Sequence, residues 1–250
     1  MTAQPLAGAA DGPHARKMSS PSPLQRLSGG RRRPRGDGAW PGLLLAALFA
    51  AVAGWQIRSG AGPIPWALSA QTLAEGRYDT LLTHMVSHAG LLHLGFNSLA
   101  LLTLSPPVVR ALRRGPARSP MLLRYGLLFL IGGLCAAGLF LALNPGETTP
   151  MLGASGAICA FWGLVARLDP AGGPDPAIWS RHARGVIQGF ALSNLVLALL
   201  INGPIAATGG SGGIAWEAHL GGFLFGLLLG PLFLPQPPPP PPLGPWGPRT

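Results

Sequence analysis

MLLRYGLLFLIGGLCAAGLFLAL, residues 121–143, carries one charge, Arg124, in an otherwise apolar run. A bilayer core of about 30 Å is crossed by about 20 apolar residues in a helix, so the run reads as a membrane span. Five further apolar runs flank it, at 41–57, about 84–104, about 150–168, 186–203 and 214–234. The second and fourth of the six are the most polar. The pattern predicts an all-α polytopic membrane protein, a bundle of six transmembrane helices.

Composition points the same way. Hydrophobic residues make up 48% of the 250 and charged ones only 10%, against about 25% charged in an ordinary soluble domain, which argues against a soluble enzyme. Gly (37) and Pro (28) are abundant enough for a low-complexity polymer, yet half of the prolines lie in the two tails. Residues 1–38 hold Arg16, Lys17, Arg26, Arg31, Arg32, Arg33 and Arg35 among Ser, Pro and Gly, and read as a disordered basic arm. Residues 235–250 read as a disordered proline-rich tail, in which Pro237 to Pro242 can form only extended polyproline II. Between them, 39–234 is the membrane domain. The run at 41–57 resembles the apolar core of a secretory signal, but five spans follow and no clean A-x-A site flanks it, so it reads as an anchor helix.

A net charge of +10 raises nucleic acid as a partner, and placement of the charges decides against it. With the N-terminus in the cytoplasm, 16 of the 18 Lys and Arg fall on the inner side; only Arg58 and Arg77 lie outside. The positive-inside rule then puts both termini in the cytoplasm and makes the lipid bilayer the partner. Richness in Ala, Gly, Pro and Arg suggests a GC-rich bacterial gene, hence the plasma (inner) membrane. Cys135 and Cys159 sit in apolar runs, with no disulfide framework and no CxxC pair.

Polar side chains at membrane depth are costly, which makes each a functional candidate. Three clusters stand out: HMVSHAGLLHLGFN from His84 to Asn97, GASG from Gly153 to Gly156, and WEAHLGGFLFG from Trp216 to Gly226. At 100° per residue His84 and His88 lie about 40° apart, as do His93 and Asn97, while the two pairs point about 180° from each other on a continuous helix. Gly90 offers a break, placing His84 and His88 in an entry loop and His93 with Asn97 on one inward face. His84 and His88 could equally be histidines tied to neighbouring helices. Zinc is the weaker reading, because the membrane-depth acid available to join them is Glu217 alone.

Ser155 lies between Gly153 and Gly156. A lone serine in a membrane helix is commonly bonded back to a carbonyl. Small residues at 153, 154, 156 and 157, however, admit a second backbone, and Gly222, Gly226 and Gly230 at four-residue spacing supply a matching face. Plain helix packing explains that stripe as well, but it would also bring His219 beside Ser155. A hydroxyl within reach of an imidazole is the minimum for nucleophilic catalysis. No third member is evident: Asp11 and Asp37 lie in the arm, Glu75, Asp79 and Glu147 in outer segments, Asp169 and Asp175 inside. Glu217 precedes His219 by two residues, about 200° around the helix, which favours a dyad.

These residues resemble the rhomboid intramembrane serine proteases, through HxxxHxxxxHxxxN in the second span, GxSG opening the fourth and AHxGGFxxG in the sixth. The resemblance covers about 41–234 and leaves both tails aside. It implies that Ser155 is the nucleophile and His219 the general base, and that His93 and Asn97 line an oxyanion hole with the Ser155 N–H. It also implies a serine helix beginning part-way into the membrane below a water-filled cavity, with transmembrane protein substrates and no metal or organic cofactor. Two features depart from the family: the outer loop 58–80 is shorter, with Arg77 in place of the loop's arginine, and Glu217 stands where a neutral residue is usual. A non-catalytic relative that binds membrane helices, or a small transporter with a histidine proton relay, are the rival readings; serine-directed fluorophosphonate labelling separates the protease from both.

Overall fold

A backbone among lipid tails must satisfy its own hydrogen bonds, so long apolar runs become helices. The computed structural model describes residues 38–113, 120–146, 148–169, 173–175, 177–202 and 213–235, together with 204 and 207. Its helices are α1 (Trp40–Ser59), α2 (Ala70–Ala74), α3 (Thr80–Thr83), α4 (Leu91–Leu112), α5 (Met121–Leu143), α6 (Ser155–Val165), α7 (Arg181–Leu197) and α8 (Trp216–Leu228). A π turn, Ala198–Asn202, prolongs α7, and a 3-10 turn, Gly230–Phe233, follows α8. Among the described residues strand pairing is limited to the isolated bridges Leu68–Met151 and Leu168–Pro174. The protein is an all-α, largely membrane-spanning bundle. The basic arm and the tail beyond Pro235 lie outside the described residues.

Four helices are long and apolar enough to cross a bilayer: Trp40–Ser59, Leu91–Leu112, Met121–Leu143 and Arg181–Asn202. Two of the expected spans are shorter than the sequence suggested. Helix α6 has 11 residues, about 16 Å at 1.5 Å per residue. It cannot start nearer residue 150, because Gly153 has φ +118°, a region L side chains avoid, and because Met151 is paired with Leu68 by two backbone bonds of 2.8 Å. Helix α8 gives way to the 3-10 turn at Gly230 and Pro231, where proline lacks the N–H that would continue it. In α4 the difference is the opposite. The helix runs through Pro106 and Pro107 to Leu112, beyond the expected end near 104. The turn after the prolines buries Val108, Val109 and Leu112 completely, and that burial offsets the two lost backbone bonds.

At the centre α5, α6 and α8 meet through small residues. A Cβ on Gly222 would collide with the carbonyl of Gly156, and one on Gly226 with the carbonyl of Ala160. Gly163 answers from the other side, where a Cβ would strike the Phe223 carbonyl and come within 2.6 Å of the Leu227 nitrogen. The seam therefore runs along Gly156, Ala160 and Gly163 rather than along 153, 154, 156 and 157 as a set: Ala157 lies instead toward Gly133 of α5, and Gly153 against His93. Residue numbers rise together across this seam, so α6 and α8 are parallel.

Helix α7 is attached differently. Of its own residues only Ala183 and Phe190 are buried. Phe190 stacks on Phe223 of α8 with ring centroids 3.9 Å apart and meets Trp162 of α6 edge-on at 5.6 Å. Near its start, His182 Nε2–H donates to the Val165 carbonyl at 3.1 Å.

Candidate active site

Ser155 is the first residue of α6 and is half-buried. The backbone before it is held from two sides. Leu68 brackets Met151 as above, and the Gly153 N–H donates to the His84 carbonyl at 2.8 Å. His84 is itself fixed, its Nδ1–H donating to the Thr80 carbonyl at 2.8 Å. The turn carrying Ser155 is thus tied to the outer loop, and the first-turn amides of α6 point N–H groups without intrahelical acceptors at the space around the serine.

His219 is the fourth residue of α8 and is 9% exposed. Its Nε2 is 2.7 Å from Ser155 Oγ, and its Nδ1 is 2.6 Å from Asn194 Oδ1 on α7. An amide oxygen can only accept, so Nδ1 carries the proton and Nε2 presents a lone pair, to which the Ser155 hydroxyl donates. The tight α6–α8 seam sets this distance: Gly156 follows Ser155, Gly222 lies one turn after His219, and the two backbones touch between them.

His93 on α4 packs on the other flank of the serine turn. A Cβ on Gly153 would stand 2.7 Å from both Cε1 and Nε2 of His93, so glycine is required here by close approach as well as by its positive φ. The Ala89 N–H donates to His93 Nδ1 at 3.3 Å, which leaves the proton of the neutral ring on Nε2, the nitrogen nearest the serine turn. Asn97, one turn further on, is buried and donates from Nδ2 to the His93 carbonyl at 3.0 Å; its Oδ1 has no partner among the described residues. His88 lies in the loop before α4, with its ring between Phe49 (centroids 5.1 Å) and His93 (5.2 Å) and neither nitrogen bonded.

Ser155, His219 and His93 therefore converge around one turn, with His84, Gly153, Gly156, Gly222 and Gly226 in the backbone contacts that position it. Glu217 is half-buried in the first turn of α8; the Nδ1 of His219 goes to Asn194 instead. Asn194 was missed in the sequence. It is a polar side chain inside the run 186–203, which is a signal of the same kind as Ser155, but no neighbouring His or Gly marked it out. In the outer loop, Arg77 binds both carboxylate oxygens of Asp79 at 2.9 and 2.8 Å and the Pro65 carbonyl at 3.0 Å. That guanidinium holds the Asp79 carboxyl below the usual carboxylate range.

A hydroxyl bonded to an unprotonated imidazole nitrogen, at the head of a half-length helix inside a membrane bundle, defines a membrane-embedded serine hydrolase. Residues 75–236 match the family model of the Rhomboid domain. The chain belongs to the rhomboid family and is a serine protease of the rhomboid type, a multi-pass peptide hydrolase acting in the membrane. No curated protein matches the chain. The match begins after α1, so the anchor helix lies outside it.

Proposed function

We propose that Ser155 is the nucleophile and His219 the general base of this protease, and that His93 and Asn97, with the Ser155 backbone N–H, bind the oxyanion. The observation that carries the reading is the 2.7 Å contact of His219 Nε2 with Ser155 Oγ. As Oγ bonds to the scissile carbonyl carbon, its proton passes to Nε2; the resulting imidazolium returns it to the leaving amine as the C–N bond breaks, and water then hydrolyses the ester by the same path in reverse. The negative oxygen forms beside the N-terminus of α6, where the amides and the helix dipole favour it. His93 Nε2–H faces that turn. Asn97 spends one N–H on the His93 carbonyl and keeps another for donation.

The substrates are transmembrane proteins. Their helices must open at the cut site, so weak helix formers such as Gly and Pro are favoured there. Six passes with both termini in the cytoplasm of a bacterium fit the charge bias and the packing: contacting pairs run α1–α4, α5–α6, α6–α7 and α7–α8 antiparallel and α6–α8 parallel, as strict alternation requires. The protease domain is 39–234, with the basic arm and proline-rich tail outside it. Ser155→Ala tests the reading. Cleavage of a model transmembrane substrate and fluorophosphonate labelling should both vanish with expression and melting unchanged; activity above a few per cent in that variant overturns it.

A further inference from the structure

We infer that Asn194 is a positioning residue of the site, which fixes the tautomer and orientation of His219 so that Nε2 meets Ser155 with its lone pair; this rests on the Ser155–His219 reading above. The Phe190 carbonyl can only accept, and Asn194 Nδ2 donates to it at 3.0 Å. Turning the amide over would set two oxygens against each other, so Oδ1 is committed to the side of His219. There it stands 2.6 Å from Nδ1 and can only accept. Nδ1 is therefore protonated, Nε2 is not, and the Ser155 hydroxyl 2.7 Å away becomes the donor. A backbone carbonyl of α7 thereby dictates which ring nitrogen is the base.

The same two helices make a second rung one turn away. Phe190 precedes Asn194 by four residues and Phe223 follows His219 by four, and their rings stack at 3.9 Å. Paired at i and i+4 on antiparallel helices, the aromatic rung sets the spacing at which the polar rung forms. An amide in this place differs from a carboxylate in one respect. It orients the imidazole without adding a negative charge to balance the imidazolium, so its contribution lies in orientation.

The test uses the full chain in proteoliposomes. In the wild type at pH 8, 15N NMR of His219, assigned by difference with His219→Ala, should show a protonated Nδ1 and an unprotonated Nε2; the opposite tautomer overturns the proposal without any variant of Asn194. Asn194→Leu keeps the volume and removes the acceptor. It should lower kcat about ten- to a hundredfold, the size of loss known when the orienting partner of a metal-bound imidazole is removed, with KM nearly unchanged and the NMR signals shifting toward mixed tautomers. Asn194→Asp, which restores an acceptor at the same distance, should recover activity over Asn194→Leu. A role in joining α7 to the bundle alone would lower the melting temperature and leave tautomer and kcat as they are, which refutes the inference. If instead Ser155→Ala still cleaves, it is the dyad assignment that fails, whatever Asn194 does.

Discussion

Helix α8 is gripped on its two sides by opposite means. Toward α6 the contact is backbone on backbone: Gly222 and Gly226 lie on the carbonyls of Gly156 and Ala160. Toward α7 it is side chain on side chain, with the stacked pair Phe190–Phe223 and the polar pair Asn194–His219 as its rungs, and only 6% of the Arg181–Asn202 window is buried, against 39% for α5. Without a hydrophobic force between helices in lipid, close backbone approach is what supplies rigidity. The hydrogen bond from His219 to Ser155, on which the proposed chemistry rests, spans the rigid side, while the bond from Asn194 to the imidazole spans the loose one. Precision of the reacting atoms is thus separated from the face of the bundle that lipid covers.

One substitution, glycine to alanine, distinguishes the two sides most sharply. Gly222→Ala puts a methyl onto the Gly156 carbonyl, and neither backbone can move aside without moving Ser155 or His219. Overpacking usually costs about 1–3 kcal/mol; here we expect more than about 3 kcal/mol, seen as loss of folded protein in thermal melting and of fluorophosphonate labelling. Full labelling in Gly222→Ala would show that the seam is compliant.

The next effect concerns the other flank of the serine turn, where the His93 ring packs on Gly153, less closely than α8 packs on α6. His93→Ala and Asn97→Ala should each reduce kcat by a hundredfold to a thousandfold, about 2.7 to 4 kcal/mol, the usual loss for an oxyanion donor. KM should change little, since the donors act on charge that appears in the transition state. Equal falls in melting temperature and labelling would reassign both residues to packing.

On the loose side the effects should be no larger. Phe190→Ala removes the ring stack; the ring is buried but the rest of α7 is largely exposed, so we expect about 3 kcal/mol, the low end of the range for a buried phenylalanine, read as a lower melting temperature with slowed labelling. Gly189→Ala completes the contrast. Among the described residues no atom outside its own helix backbone lies within 4 Å of a Cβ at Gly189, so the change should stabilise α7 by about 0.5–1 kcal/mol through backbone entropy alone and raise the melting temperature slightly. A destabilised Gly189→Ala would mean that α7 is packed more tightly than its exposure indicates.

Much of this could be read from the residues in order. The span 121–143 and the helix Met121–Leu143 coincide, because 23 residues of uniformly apolar chain leave the backbone no alternative to a helix in lipid. The motif spacing also carried the pairing of Ser155 with His219, since glycines on two helices announce where those helices touch. Helix ends were harder. The start of α6 depends on Gly153 being held at positive φ by the His84 carbonyl and on the bridge from Leu68, contacts with residues 69 and 83 positions earlier in the chain, and the passage of α4 through Pro106 and Pro107 depends on what Val108, Val109 and Leu112 bury against.

The sequence by itself determined the membrane class, the placement of most apolar helices and the residue types able to perform serine hydrolysis, because hydropathy, charge bias and short-range spacing are properties of the chain alone. Only the tertiary structure decided which ring nitrogen of His219 faces Ser155 with a lone pair. That choice rests on Asn194, 25 positions away on another helix. Tautomers are set by the partner across a hydrogen bond, and a partner brought up by helix packing leaves no trace in local sequence.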